Sequence, residues 1–470
     1  MDLTQTSALD LSRAIAAKDI SVSELMQATL ARIESVNPQV NAVVSLRDRD
    51  ALMAEARAVE NKVPSGWLYG IPIAIKDLVN VTGLPTSFGS PLHRDTVAIQ
   101  DDLTVARLRE AGAIFIGKTN TPEFGLGSHT VNPVHGATRN PYDLSRSAGG
   151  SSGGAAVALA TGMLSVADGS DMMGSLRNPA GWNNVYGLRP TWGLVAEPSE
   201  REAYINQLST DGPMARTPSD LAALLDTMAG ADPRAPQTLS HEPALPNIDG
   251  LGQTPRIGWL GDWSGAFPME QGVLDCCEAA LSQMAELSWH IEPVAAPFPA
   301  EQLWISWTRM RSYIKAMNMA PEYEDPARRA HLGSAMVWEI EEGLRLTTAE
   351  IWDASLIRSN WYRRCAALFK RYDILALPSA QMWPFAVELP HPSNIGARMM
   401  DTYHRWMEVV IPAGLIGLPA ISVPAGFGDA GLPMGVQLIG APRSDPFLLK
   451  VAQRWHSATE WPQRKPAMLS

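Results

Sequence analysis

Gly149-Gly150-Ser151-Ser152-Gly153-Gly154-Ala155-Ala156-Val157-Ala158-Leu159-Ala160 is the stretch whose reading decides the fold. A flexible Gly-Ser linker is not usually followed at once by an apolar run of small residues. Glycines permit unusual backbone geometry and close approach, so the cluster can hold a serine in a special position at the start of a small-residue helix, 155–160. Leu164-Ser165-Val166-Ala167 then reads as a strand, and Gly169-Ser170-Asp171-Met172-Met173-Gly174-Ser175 as a tight turn behind it. Outward from this centre the alternation continues. Tyr69 to Asp77 is a short apolar run that predicts a buried strand ending at charge, 102–111 a short helix closed by Gly112, and 113–116 a strand. Asp373 to Pro378 and Ala420 to Pro424 read as strands again. Such alternation predicts an α/β fold whose central sheet is covered by helices on both faces.

The N-terminal 45 residues read as helices, with capping-box spacing at Ser21-Val22-Ser23-Glu24. Residues 195–255 are richer in Pro, Asp and Ser, which suggests peripheral loops and short helices, and 270–290 and 300–372 return to helical patterning. The chain of 470 residues carries 38 Lys and Arg against 49 Asp and Glu, a net charge of −11, with 46% apolar residues. This is globular composition, and the acidic balance argues against binding nucleic acid through phosphate neutralisation. Three cysteines, two of them the neighbours Cys276 and Cys277, give no disulfide framework and fit a reducing, cytoplasmic setting. The start Met1-Asp2-Leu3-Thr4-Gln5 has no basic, apolar leader pattern, and no apolar stretch approaches the ~18 residues of a spanning helix, so no membrane partner is expected.

Gly112 to Thr119 fits the pattern G-x-x-x-x-G-K-T of a phosphate-cradling loop. Its interior, Ala113-Ile114-Phe115-Ile116, is a strand and Pro122 follows where a helix should begin, so the nucleotide reading is rejected. The nine histidines show no zinc spacing, and no metal or cofactor is expected. His129 and His135 read as ordinary loop or core residues. No G-x-S-x-G elbow is present, which disfavours a Ser-His-Asp hydrolase of that type. An activated serine then needs another base, and Lys76 at the end of an apolar strand is the candidate, because burial disfavours its ammonium. Asp171 and Arg177 can pair to brace the turn at Ser175.

Taken together, Gly70-Ile71-Pro72-Ile73-Ala74-Ile75-Lys76-Asp77, Gly117-Lys118-Thr119-Asn120, the cluster 149–154 and Gly174-Ser175-Leu176-Arg177-Asn178-Pro179-Ala180 resemble the amidase signature family. The resemblance continues through Tyr186-Gly187-Leu188-Arg189-Pro190-Thr191, Gly417 to Pro424 and Gly431 to Gln437, and is weakest from 195 to 370. The run Asp171 to Asn184 is also similar to the branch containing 6-aminohexanoate cyclic-dimer hydrolase.

The resemblance implies one amidase domain over 1–470, with a signature core at roughly 60–195, a variable peripheral region at roughly 196–370 and a C-terminal part completing the sheet at roughly 371–470. It implies Lys76 as base, Ser151 as bridging serine at a cis peptide and Ser175 as nucleophile; the family's spacing selects Ser151 over Ser152, whose hydroxyl is expected to brace the turn. It implies an oxyanion hole of backbone N–H groups from Met172, Met173, Gly174 and Ser175. Substrate contacts are expected at Gly125, Leu126, Gly127 and Ser128, and at Trp304 and Trp307. The family commonly has glycine at one or both of the positions where Met172 and Met173 stand. Those side chains either narrow the pocket and favour an apolar acyl group or pack into the core beneath the loop. The activity implied is hydrolysis of a small-molecule carboxamide, lactam or linear amide, and a homodimer is an allowed assembly. The competing functions are the glutaminase subunit of a tRNA-dependent amidotransferase and a non-catalytic binding protein of the same fold.

Overall fold

The computed structural model describes residues 2–60, 62–199 and 202–469. A three-stranded sheet combines β1 (Val43–Val44), β2 (Pro72–Lys76) and β3 (Ile114–Thr119) in the order β1-β3-β2. Every residue of β2 and β3 is buried, including Lys76, Lys118 and Thr119 at the ends of their apolar runs. The two strands are parallel from Pro72 opposite Ile114 to Lys76 opposite Thr119, with a one-residue register shift between Ile73 and Ala74. Lys118 lies within β3 with its ammonium on Val79 O and Thr86 Oγ1, so the phosphate-loop pattern is a strand.

The larger sheet has eight strands: β4 (Val166–Asp171), β5 (Tyr186–Arg189), β6 (Thr210–Ala215), β7 (Arg256–Trp259), β8 (His290–Pro293), β9 (Ile374–Pro378), β10 (Ala420–Phe427) and β11 (Pro433–Gly440). Their order is β8-β7-β9-β11-β10-β5-β6-β4. Only β7 pairs in parallel, with β8 and with β9; the other neighbours are antiparallel, so the sheet is mixed. Helices cover both faces, among them Arg177–Trp182, Val273–Glu286 and Asp445–Thr459 against β10 and β11. The predicted capping box at Ser21 and Glu24 opens the helix Val22–Val40.

The expectation that 195–255 is peripheral is corrected at β6, an interior strand between β5 and β4. Its sequence, Thr-Asp-Gly-Pro-Met-Ala, hides the strand. Pro213 is accommodated because β5 pairs only with Met214 and Ala215, leaving that side of Pro213 without a partner for the N–H it lacks. Strands β7 and β8 also come from the region expected to be variable, so the sheet is not completed only by the C-terminal part. The Gly-Ser cluster runs straight into the helix Gly153–Ala160, and a side chain there has no room: a Cβ on Gly154 would stand 2.3 Å from Asn120 N. Close packing, not flexibility, explains these glycines.

Candidate active site

Strand β2 delivers Lys76 to the edge of the larger sheet, where its backbone N–H donates to Asp168 Oδ1 of β4 at 3.0 Å. The side chain is fully buried, and its Nζ meets three hydroxyls: Ser151 Oγ at 2.8 Å, Ser152 Oγ at 2.9 Å and Ser170 Oγ at 3.0 Å. Burial pushes the Lys76 pKa down, while Asp168, Asp211 and Asp171 pull it back, leaving it at about 8. The expectation of a neutral resting lysine is thereby narrowed: the free base dominates only above that value. Burial raises Asp168 to about 6 against the pull of Lys76 and Lys118.

Ser151 follows a cis Gly150–Ser151 peptide, and Ser128 Oγ donates to Gly150 O at 2.7 Å. Ser152 does not merely brace the turn, since its hydroxyl is a second partner of Lys76. Ser175 opens onto the same cleft as Ser151 and Ser170. The turn before it depends on Gly174, whose φ of +78° is open to glycine and whose Cβ would stand 2.8 Å from Val410. Behind the turn Asp171 accepts from Gly174 N at 2.9 Å, Leu176 N at 3.2 Å and the Arg177 guanidinium at 3.0 Å through both Nε and Nη2. Burial opposes ionisation of Asp171, yet Arg177, Arg189 and the Leu176 N–H together hold its pKa far below the usual carboxylate range. The expected Asp171–Arg177 brace is present.

The Gly174 N–H is thus directed at Asp171, which corrects its assignment to the oxyanion hole. The N–H groups of Met172, Met173 and Ser175 meet no acceptor among the described residues. The two methionines part company. Met173 is buried in the core, whereas Met172 lines the cleft with its Sδ 3.3 Å from Arg311 Nη1.

The cleft measures about 770 Å³. Of the expected substrate contacts only Gly125 lines it. Leu126 packs with Met336 and Ile340, Gly127 lies beside the Tyr403 ring, and Ser128 braces the Gly150 carbonyl. Trp304 and Trp307 do not reach it. They stack on each other with ring centroids 6.0 Å apart and against His404, one to two turns before the part of the helix Ala300–Asn318 that faces the cleft. That part presents Arg311, Ile314 and Lys315, and the lining of the same cleft also includes Asp101, Glu197 and Asp211. The sequence reading missed these charged groups, so the apolar acyl pocket it allowed is replaced by a polar one. Arg311 lies over the Trp307 ring, 4.9 Å from its centroid, which is what the tryptophan contributes.

Among the described residues no group of three or more His, Cys, Asp or Glu is placed to hold a metal ion, and no helix is long and apolar enough to cross a membrane.

A family profile described as Amidase matches residues 24–449. An acylamidase of Rhodococcus erythropolis is 32% identical, with 98% of this chain and 97% of that protein covered. A glutamyl-tRNA(Gln) amidotransferase subunit of Picosynechococcus sp. is 33% identical over 97% of this chain and 99% of its own. Among solved structures, a bacterial aryl acylamidase superposes with a TM-score of 0.91 at 28% identity, covering 98% of this chain and 99% of that one. A 6-aminohexanoate cyclic dimer hydrolase gives a TM-score of 0.88 at 26% identity, covering 99% of each chain. With the profile spanning most of its length and these relatives matching it end to end, the chain belongs to the amidase signature family.

Proposed function

We propose that this protein hydrolyses the C–N bond of a small-molecule carboxamide, lactam or linear amide through an acyl-enzyme on Ser175, with Ser151 as proton bridge and Lys76 as base. The observation that carries this reading is Lys76 Nζ, buried and 2.8 Å from Ser151 Oγ, beneath a cleft lined by both Ser151 and Ser175. A neutral amine has two N–H donors and one lone pair, so amid three hydroxyls it donates to Ser152 and Ser170 and accepts from Ser151. Ser151 Oγ gives its own proton to Lys76 Nζ and takes the Ser175 proton as Ser175 Oγ attacks the carbonyl carbon. The oxyanion forms against the N–H groups of Met172, Met173 and Ser175, each such donor contributing roughly 3 kcal/mol in comparable sites. Ser151 returns a proton to the departing nitrogen, the C–N bond breaks, and water repeats the sequence on the acyl ester.

Incubation with a fluorophosphonate followed by peptide mapping tests the assignment. The adduct is expected on Ser175 and absent in Ser175→Ala, whereas an adduct on Ser152 or on a cysteine would overturn it. A cytoplasmic setting belongs to the same reading, which the free thiols of Cys276, Cys277 and Cys365 support, and a homodimer is compatible with it.

The amidotransferase relative supports a second reading, a glutaminase that feeds ammonia to partner chains. Met173-Gly174, standing where the family usually has Gly-Gly before the nucleophile, favours the free-standing amidase. Glutamine as the preferred substrate together with co-purifying partner chains would reverse that preference.

A further inference from the structure

One wall of the cleft carries an unbalanced positive charge. Arg311 and Lys315 project from successive turns of the helix Ala300–Asn318, about 6 Å apart along its axis. Arg311 is fully engaged: its Nε donates to Glu339 Oε1, and its Nη2 donates to Tyr403 Oη at 2.8 Å. Glu339 is engaged in turn, accepting from Ser312 Oγ at 2.7 Å and Tyr403 Oη at 2.8 Å besides Arg311. The Lys315 ammonium has neither a hydrogen bond nor an ion pair among the described residues, although the residue is half-buried in this wall. The acidic groups of the cleft do not serve it: Asp101 is held by Arg109, Asp102 by Asn80 and Glu197 by the Asp211 N–H, and the charges that act on Lys315 are those of Arg311 and Glu339, not the Asp211 carboxylate.

From this we infer that Lys315 is a specificity-determining residue that receives a carboxylate carried by the amide substrate several bonds from the scissile carbonyl. The inference rests on the amidase reading of the cleft and deepens it. Two cations against one carboxylate leave a single charge to be matched, which fits a monoanion. A half-buried ammonium with no partner is costly until such an anion arrives, and a charge-assisted hydrogen bond formed away from bulk water is strong. Burial and the neighbouring Arg311 lower the Lys315 pKa to about 8, so the group still carries its charge at neutral pH. Because Arg311 also touches Met172 Sδ, the carboxylate site lies on the same wall as the loop that leads to Ser175.

The test compares chain-matched primary amides, adipamate against hexanamide and glutaramate against pentanamide. The carboxylated member of each pair should show a kcat/KM higher by about tenfold or more. In Lys315→Met that ratio should collapse toward unity, and in Lys315→Arg it should largely survive. A wild-type ratio near one, or a ratio unmoved by Lys315→Met, overturns the inference while leaving fluorophosphonate labelling of Ser175 intact. If instead no amide is cleaved and Ser175 is not labelled, the amidase reading itself fails. Calorimetric binding of adipamate, a monoanion left intact in that case, to the wild type and to Lys315→Met then decides the site on its own: weaker binding by about tenfold in the variant supports it, and equal binding overturns it.

Discussion

Lys76 stands between opposing demands, since burial expels its proton while three aspartates retain it, and the result is a pKa of about 8 instead of 10.5. The base in the proposed reaction is the free amine, so the reactive fraction grows as pH rises. With a pKa of about 8, kcat/KM should climb about tenfold per pH unit below that value and level off above it. Lys76→Ala should abolish turnover without unfolding the chain. A pH profile flat through neutrality, or a Lys76→Ala variant near wild-type rate, would remove Lys76 from the role of base. The adjacent methionines offer a second residue-level contrast. Met173 is buried in the core, so Met173→Ala should cost about 2–5 kcal/mol in denaturant unfolding and leave the ranking of amides unchanged. Met172 faces the cleft and touches Arg311, so Met172→Ala should reorder the amides with little loss of stability.

At the scale of elements, the turn that presents Ser175 is set by what lies behind it. Asp171 closes β4, and its carboxylate joins the turn's N–H groups to Arg177 and Arg189. Both guanidiniums are fully buried, so Asp171→Asn leaves them short of a counter-charge. Breaking a buried pair in this way costs about 3–5 kcal/mol, measurable as a lower urea midpoint, and should reduce fluorophosphonate labelling of Ser175 in parallel. Elements of this kind were legible in the sequence where local chemistry is one-sided. β2 is apolar throughout and then ends on Lys76, and the glycines at 149–154 announce close approach. β6 was not legible, because Asp211, Gly212 and Pro213 argue locally against a strand that tertiary pairing with β4 enforces. The cleft wall was misread for another reason. Trp304, Trp307 and Arg311 share a helix stripe, and a stripe gives the direction a side chain faces but not how far along its axis the helix meets a cavity. Lys315 and Asp211, distant in sequence, become walls of one cleft only through the packing of that helix against the sheet.

The molecule as a whole meets acid through groups whose buried protonation differs from that of the unfolded chain. His404 is enclosed by Trp304, Trp307, Trp338 and Tyr403, and neither ring nitrogen has a hydrogen-bond partner among the described residues. Burial, only partly offset by Glu339, lowers its pKa from 6.5 to about 3. In the unfolded chain the ring gains its proton near 6.5, whereas in the folded protein it does not until about 3. Unfolding therefore takes up a proton across that window, and the stability present above 6.5 is lost as pH falls toward 3. Asp168 and Glu408 act with the opposite sign. Burial raises them to about 6 and about 7, so the folded state takes up their protons first and gains stability as the medium is acidified through those values. The net slope for the wild type is a difference of these terms, and subtraction of a variant isolates one of them. His404→Phe keeps the aromatic packing and removes the titration. The gap in unfolding free energy between His404→Phe and the wild type should widen by up to about 1.4 kcal/mol per pH unit as pH falls below 6.5, in favour of the variant, and stay constant above it. Urea titrations at pH 8, about 6 and about 5 read that gap directly, and a gap independent of pH would mean that His404 binds its proton as readily in the folded protein as in the unfolded chain, which overturns the prediction.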